Sequence, residues 1–160
     1  ANLSLKGRAD LVLSRGAERA IVDLKWSGLN RFADLLSSRE DVQLALYAQL
    51  LEDAQDWAHT AYYIIKRGQM LVRNTEAFSE ARTIQQEADH REVYEHLLGA
   101  VIKTYEWRVQ QLQAGQVELR CAATADDLED EYQERLLELL EMKREDARYN
   151  DYEVLLGLVR

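Results

Sequence analysis

The sequence predicts an α+β protein, with a small mixed β-sheet in its first half and a mainly helical second half. Three observations predict it. Period-two alternation runs from Leu3 to Leu13, glycine-containing turns at Gly16 and Gly68 each separate two strand-like runs, and apolar residues recur at three and four after residue 83. Strands cluster ahead of helices, with one helix between two hairpins, which fits α with β on a small mixed sheet.

The first predicted strand runs from Leu3 to Leu13, with Leu3, Leu5, Leu11 and Leu13 set against Ser4, Lys6, Arg8 and Asp10, and meets a turn at Ser14-Arg15-Gly16. Arg19 to Lys25 is the second strand, and the short glycine-containing turn makes the two an antiparallel hairpin. Residues 26 to 37 read as a loop. Ser38 followed three residues later by Asp41 resembles a helix N-cap, and Val42 to Glu52 continues with good helix formers. Ala58 to Lys66, rich in β-branched and aromatic residues, and Met70 to Arg73 form a second hairpin about Arg67-Gly68-Gln69. From Thr83 to Ala114 the residues Tyr94, Leu98, Val101, Tyr105, Val109 and Leu112 mark one helix face, with Gly115 placed to end it. Thr124-Ala125-Asp126-Asp127 caps a further helix lined by Leu128, Tyr132, Leu136, Leu139 and Leu140.

With 160 residues and 47% hydrophobic content, the chain is long enough for one core and short for two, so a single domain is expected over 1–160, strand-rich over 1–75 and mainly helical over 80–160. The abrupt entry into an alternating pattern at Leu3 suggests a piece of a longer polypeptide. No run approaches the ~18 apolar residues of a membrane span, the start lacks a signal-peptide layout, and Cys121 is the only cysteine, which together point to a cytoplasmic protein. The formal charge of −9 argues against DNA binding by bulk electrostatics, so any nucleic-acid contact must be local.

The chemistry concentrates in the first hairpin. Asp23 and Lys25, two apart on a strand, leave the same face, and pairing through the turn near Gly16 places Asp10 at a comparable height on the partner strand. Two carboxylates so placed can share a hard cation, and an ammonium flanked by them suits an electrostatic role ahead of general-base work. Asp-x-Lys alone has little weight, since chance supplies it on the order of once every few hundred residues. Glu141-Met142-Lys143 is a decoy, because on a helix its ends point about 200° apart. The bland alternative for Asp10, Asp23 and Lys25 is an exposed cross-strand ion pair. His59, His90 and His96 are too scattered along the chain to suggest a ligand set.

The string Gly7-Arg8-Ala9-Asp10, then Ile21-Val22-Asp23-Leu24-Lys25 with Ser27-Gly28, then Gln43-Leu44-Ala45-Leu46-Tyr47, resembles the RecB-like branch of the PD-(D/E)XK nuclease superfamily over residues 5 to 50. The resemblance implies a restriction-endonuclease-like fold and a nuclease that hydrolyses DNA phosphodiesters with Mg²⁺ or Mn²⁺. It implies metal binding by Asp10, Asp23 and the backbone carbonyl of Leu24, catalysis by Lys25, and support of the site and nearby nucleic acid by Gln43 and Tyr47. Recombination, repair or a mobile element would be its setting. Relatives with an iron-sulfur cluster need four cysteines, so no cluster is expected. The family's further acid or histidine, on a helix before the first strand, finds no match in the sequence's opening residues.

Gln43 and Tyr47, four apart, also share a helix face on spacing alone, although ordinary amphipathic packing gives the same pattern. Trp26 is a candidate to stack on a base or deoxyribose, with packing at the strand end as the alternative, and Arg31 and Arg39 are candidate phosphate contacts or ordinary surface charges. Beside the nuclease reading stand a catalytically weak nuclease-like module for DNA binding or structure within a larger protein, and a helical interaction protein using the Leu128 to Met142 face.

Overall fold

The computed structural model describes residues 6–51, 57–85 and 89–116. The chain divides into two compact units, Ala1–Leu98 and Gly99–Arg160. In the first, strands β1 (Leu11–Arg15), β2 (Glu18–Lys25), β3 (His59–Ile64), β4 (Gln69–Val72) and β5 (Arg82–Thr83) form one sheet in that spatial order. Helices α1 (Leu29–Ser37) and α2 (Val42–Leu50) lie between β2 and β3, and α3 (His90–Gln113) follows β5.

Both predicted hairpins are present. β1 and β2 are antiparallel, Leu11 opposite Val22 and Arg15 opposite Glu18, and β3 and β4 are antiparallel, Tyr62 opposite Leu71. β2 and β3 run parallel, with Asp23 beside Tyr62 and Lys25 beside Ile64, a pairing that requires the crossover in which α1 and α2 are found. The sheet is therefore mixed, as expected.

One face of the sheet carries the larger core: Tyr62, Ile64 and Leu71 pack against Ala33 and Leu36 of α1 and Leu44 of α2, with Leu29, Phe32 and Ile84 at the margin. Val22, Ala61 and Val72, on the other face, are covered by Tyr63, Met70, Phe78 and Ala81. β1 is an edge strand, and its Leu11, Val12 and Leu13 remain exposed.

Four expectations are corrected. Residues 29–37 are helix, not loop: Leu29, Phe32, Ala33 and Leu36 fall at i, i+3, i+4 and i+7 and turn one apolar stripe to the sheet. Ser38 closes α1, its N–H donating to Asp34 O at 2.8 Å, instead of opening α2. Asp41 is the N-cap position of α2 but makes no side-chain capping bond, because its carboxylate is paired with Arg73. Among the described residues the first strand begins at Leu11, residues 6–9 being irregular, while the Leu3 end of the expected strand lies outside them, and Thr83 belongs to β5, with helix beginning only at His90.

In the second unit α3 ends where expected. The N–H of Gly115 donates to Leu112 O at 3.0 Å and that of Gln116 to Gln111 O at 2.8 Å, the paired bonds of a Schellman closure. The helix expected after Thr124 and the Glu141-Met142-Lys143 decoy lie outside the described residues. Among the described residues no helix is long and apolar enough to cross a membrane.

Candidate active site

Asp23 and Lys25 stand near the end of β2, on the face covered by α1 and α2. Their ion pair is close, Lys25 Nζ to Asp23 Oδ2 at 2.6 Å. It is not the exposed cross-strand pair of the bland alternative, since the Asp23 side chain is only 3% exposed and that of Lys25 23%. Burying a carboxylate beside an ammonium costs desolvation that their attraction offsets only with further hydrogen bonds, so the pair is a poor device for stability alone.

Those further bonds come from α2. Gln43 Oε1 accepts from Lys25 Nζ at 3.0 Å, while Gln43 Nε2 donates to Asp23 Oδ1 at 3.1 Å and to Tyr47 Oη at 3.0 Å. Both ends of the amide are thus specified. Turned over, it would set an NH₂ against the ammonium and its oxygen against the carboxylate. Beneath the ammonium lie the rings of Phe32 and Tyr62, with centroids at 5.3 Å and 5.9 Å from Nζ. Burial, and then the carboxylates of Asp41 and Asp23, push the Tyr62 phenol up, so it remains a neutral floor to the site.

Asp10 precedes β1, and the register of Leu11 on Val22 brings it alongside Asp23. Its Oδ2 accepts the Leu24 N–H at 2.9 Å, which fixes the carboxylate to the neighbouring strand and leaves its second oxygen for a ligand. Asp23 Oδ2 is buried and accepts no hydrogen bond of good geometry beyond its ion pair. Two carboxylates against one ammonium, one of them with a buried oxygen short of partners, suit a hard divalent cation.

The approach of residues 6–10 to α2 depends on Gly7. A Cβ there would stand 3.0 Å from Leu50 Cδ1 and 3.2 Å from Tyr47 Cε1, so a larger residue would push those side chains aside where the chain closes on the helix before Asp10.

α2 itself is anchored by a second buried pair. Asp41 pairs with Arg73, whose Nη1 also donates to Leu36 O at 2.9 Å and to Gln85 Oε1 at 2.7 Å, and Gln85 Nε2 donates to Ser37 O at 2.7 Å. The turn between α1 and α2 is thereby fixed to β4, and Gln43 follows Asp41 by two residues. Burial raises the Asp41 carboxyl above the usual carboxylate range despite Arg73. Tyr94 of α3 meets Thr60 and lies with Trp57 in the same buried region.

Asp10, Asp23, Lys25, Gln43 and Tyr47, separated by up to 37 positions, therefore meet at one place. Trp26 follows Lys25 and is 71% exposed, as a nucleic-acid contact would be. Arg31 is exposed with its guanidinium 5.9 Å from the centroid of the Phe32 ring, and so stands at the margin of the site. Arg39, exposed in the turn after α1 with φ 57°, joins none of these contacts. Sequence reasoning missed Arg73 and Phe32, and it missed that two histidines set aside as scattered come together: the rings of His59 and His90 are 4.9 Å apart, with Glu76 between them.

A family model of the PD-(D/E)XK nuclease superfamily matches residues 1–153, and the chain belongs to that superfamily. The mixed five-stranded sheet with helices is its α+β fold. The family is one of nuclease-type hydrolases that use divalent metals on nucleic acid. No curated protein and no solved structure gives a significant match.

Proposed function

We propose that the chain is a Mg²⁺- or Mn²⁺-dependent DNA nuclease of the RecB-like type, acting in repair, recombination or a mobile element. The observation that carries the reading is the closed network Asp23, Lys25, Gln43 and Tyr47, with Asp10 fixed on the Leu24 amide beside it. Asp10, Asp23 and the Leu24 carbonyl would hold the metal. When bound, the metal supplies charge neutralisation at the phosphate and a more acidic water.

The side chains then divide the remaining work. Asp23 supplies negative charge from a dry position, where it is screened least. Lys25 has three N–H donors, of which Asp23 and Gln43 take two, leaving one for a water or a phosphate oxygen. Gln43 holds the ammonium at a fixed height, so that this third donor is pre-aimed rather than recruited during the reaction. Trp26 stacks on an exposed base or sugar, and Arg31 meets a neighbouring phosphate. In so acidic a chain these local groups, with the metal, carry the DNA contact.

Calorimetric titration of Mg²⁺ or Mn²⁺ into the wild type and the Asp10→Ala and Asp23→Ala variants, with cleavage of single- and double-stranded DNA measured in parallel on the full-length polypeptide, tests the proposal. Binding and cleavage should fall together in both variants. Unchanged ion affinity in both rejects the metal site. Metal binding without cleavage of either DNA leaves the fold serving as a binding or structural module.

A further inference from the structure

His59 opens β3, Glu76 follows β4, and His90 is the first residue of α3. Far apart in sequence, they bring their ligand atoms within 4.8 Å of one another. Glu76 Oε2 lies 3.1 Å from His90 Nδ1 and 3.8 Å from His59 Nδ1. In a tetrahedral site with bonds near 2.0–2.1 Å, donor atoms sit about 3.4 Å apart; the two separations from Glu76 bracket that spacing, and the cluster as a whole, spread over up to 4.8 Å, would draw in around an ion.

A second observation points to a ligand. Both ring nitrogens of His90 are buried and lack a hydrogen bond, Nδ1 facing Glu76 Oε2 without hydrogen-bond geometry. An imidazole out of water ordinarily has each nitrogen engaged, and metal ligation is a common way to engage one. A void of about 10 Å³ borders the two histidines, lined also by Thr60, Asn74 and Arg73 and not by Glu76, which approaches the rings from outside it. A larger cavity of about 200 Å³ shares His59, Ala77 and Phe78 with it.

We propose that His59, Glu76 and His90 form a second metal site, specific for a borderline ion of the zinc class, which ties the segment after β4 to the start of β3 and the first turn of α3. Two imidazoles and one carboxylate favour such an ion over magnesium, which prefers oxygen ligands and keeps its waters. Three protein ligands leave a fourth position for water. The site is separate from the carboxylate and lysine cluster. His59 pairs with Ala20 and Ile64 with Lys25, which sets the two about 16 Å apart along β3, and His59 belongs to the opposite face of the strand from Tyr62.

The test is titration of the full chain with Zn²⁺, and with Co²⁺ followed by its visible absorption, in an Asp10→Ala/Asp23→Asn background that silences the carboxylate site. One equivalent should bind, with the cobalt bands of a nitrogen-ligated low-coordinate site and a rise in the thermal midpoint. Glu76→Gln and His90→Ala should each weaken binding at least about 100-fold and abolish the rise. Glu76 is 56% exposed, so its variant folds and separates lost ligation from lost structure. Failure of zinc to bind, or binding with unchanged affinity in both variants, overturns the proposal, and neither result bears on the nuclease site.

Discussion

Two buried acids stand on the same side of the sheet, each paired with a cation, and the difference between them separates a pair closed within the fold from the pair at the proposed site. Asp41 and Arg73 are sealed, the arginine side chain 3% exposed and engaged by Leu36 O and Gln85 besides its carboxylate. Asp23 is as deeply buried as Asp41, yet its partner Lys25 reaches solvent and keeps a donor in reserve. The first pair fixes the position of α2. The second receives Gln43 from that helix and turns its remaining valence outward. Each pair leaves a buried carboxylate oxygen short of partners, Asp23 Oδ2 and Asp41 Oδ2, so what distinguishes the two is that the cation of one reaches solvent and that of the other does not.

The contrast can be broken most forcefully at Arg73. Arg73→Ala leaves Asp41 as an uncompensated buried charge and should lower unfolding free energy by about 3–5 kcal/mol, read by urea denaturation. If stability is unchanged, the sealed pair is not the anchor of α2. Gln43→Ala should instead spare most of the stability and reduce turnover by about 10–100-fold, the effect typical of losing a group that orients a metal-site residue. An equal loss of stability in the two variants would erase the distinction. Gly7→Ala, forcing Tyr47 and Leu50 aside, should cost about 1–3 kcal/mol as an overpacked contact, with weaker metal binding at Asp10.

The smallest effect is in pH dependence. Because burial holds the Asp41 carboxyl above its ordinary value of 3.8, the folded state binds that proton more tightly than the unfolded chain. Asp41 therefore favours folding most below that ordinary value, and its contribution is lost as pH rises through the raised folded value. Asp41→Asn should remove this component from a stability profile taken between pH 3 and 7, and a profile unchanged by the substitution contradicts the assignment.

Much of the candidate site's geometry was legible because it is built from local periodicities. A spacing of two puts Asp23 and Lys25 on one strand face, a short turn at Gly16 sets Asp10 beside Asp23, and a spacing of four puts Gln43 and Tyr47 on one helix face. The resemblance supplied the link between hairpin and helix, which spacing alone does not. α1 was missed because its N-cap position is Gly28, which offers no capping side chain, and Ser27-Gly28 reads as a turn. The Asp41 and Arg73 pair, like the meeting of His59 with His90, joins positions about thirty residues apart and follows from the parallel crossover and the packing of α3, which no local pattern encodes.

Lys25→Ala tests the central claim most directly. Single-turnover cleavage of DNA should be measured on the full-length polypeptide at saturating Mg²⁺ or Mn²⁺, with metal and DNA affinities determined alongside. If the outward donor of Lys25 acts at the reacting phosphate, the rate should fall by about 100-fold or more while both affinities stay nearly unchanged. A modest loss of DNA affinity, a salt dependence shallower by about one phosphate contact and an unaltered cleavage rate would contradict it, and would make Lys25 a binding residue on a nuclease fold.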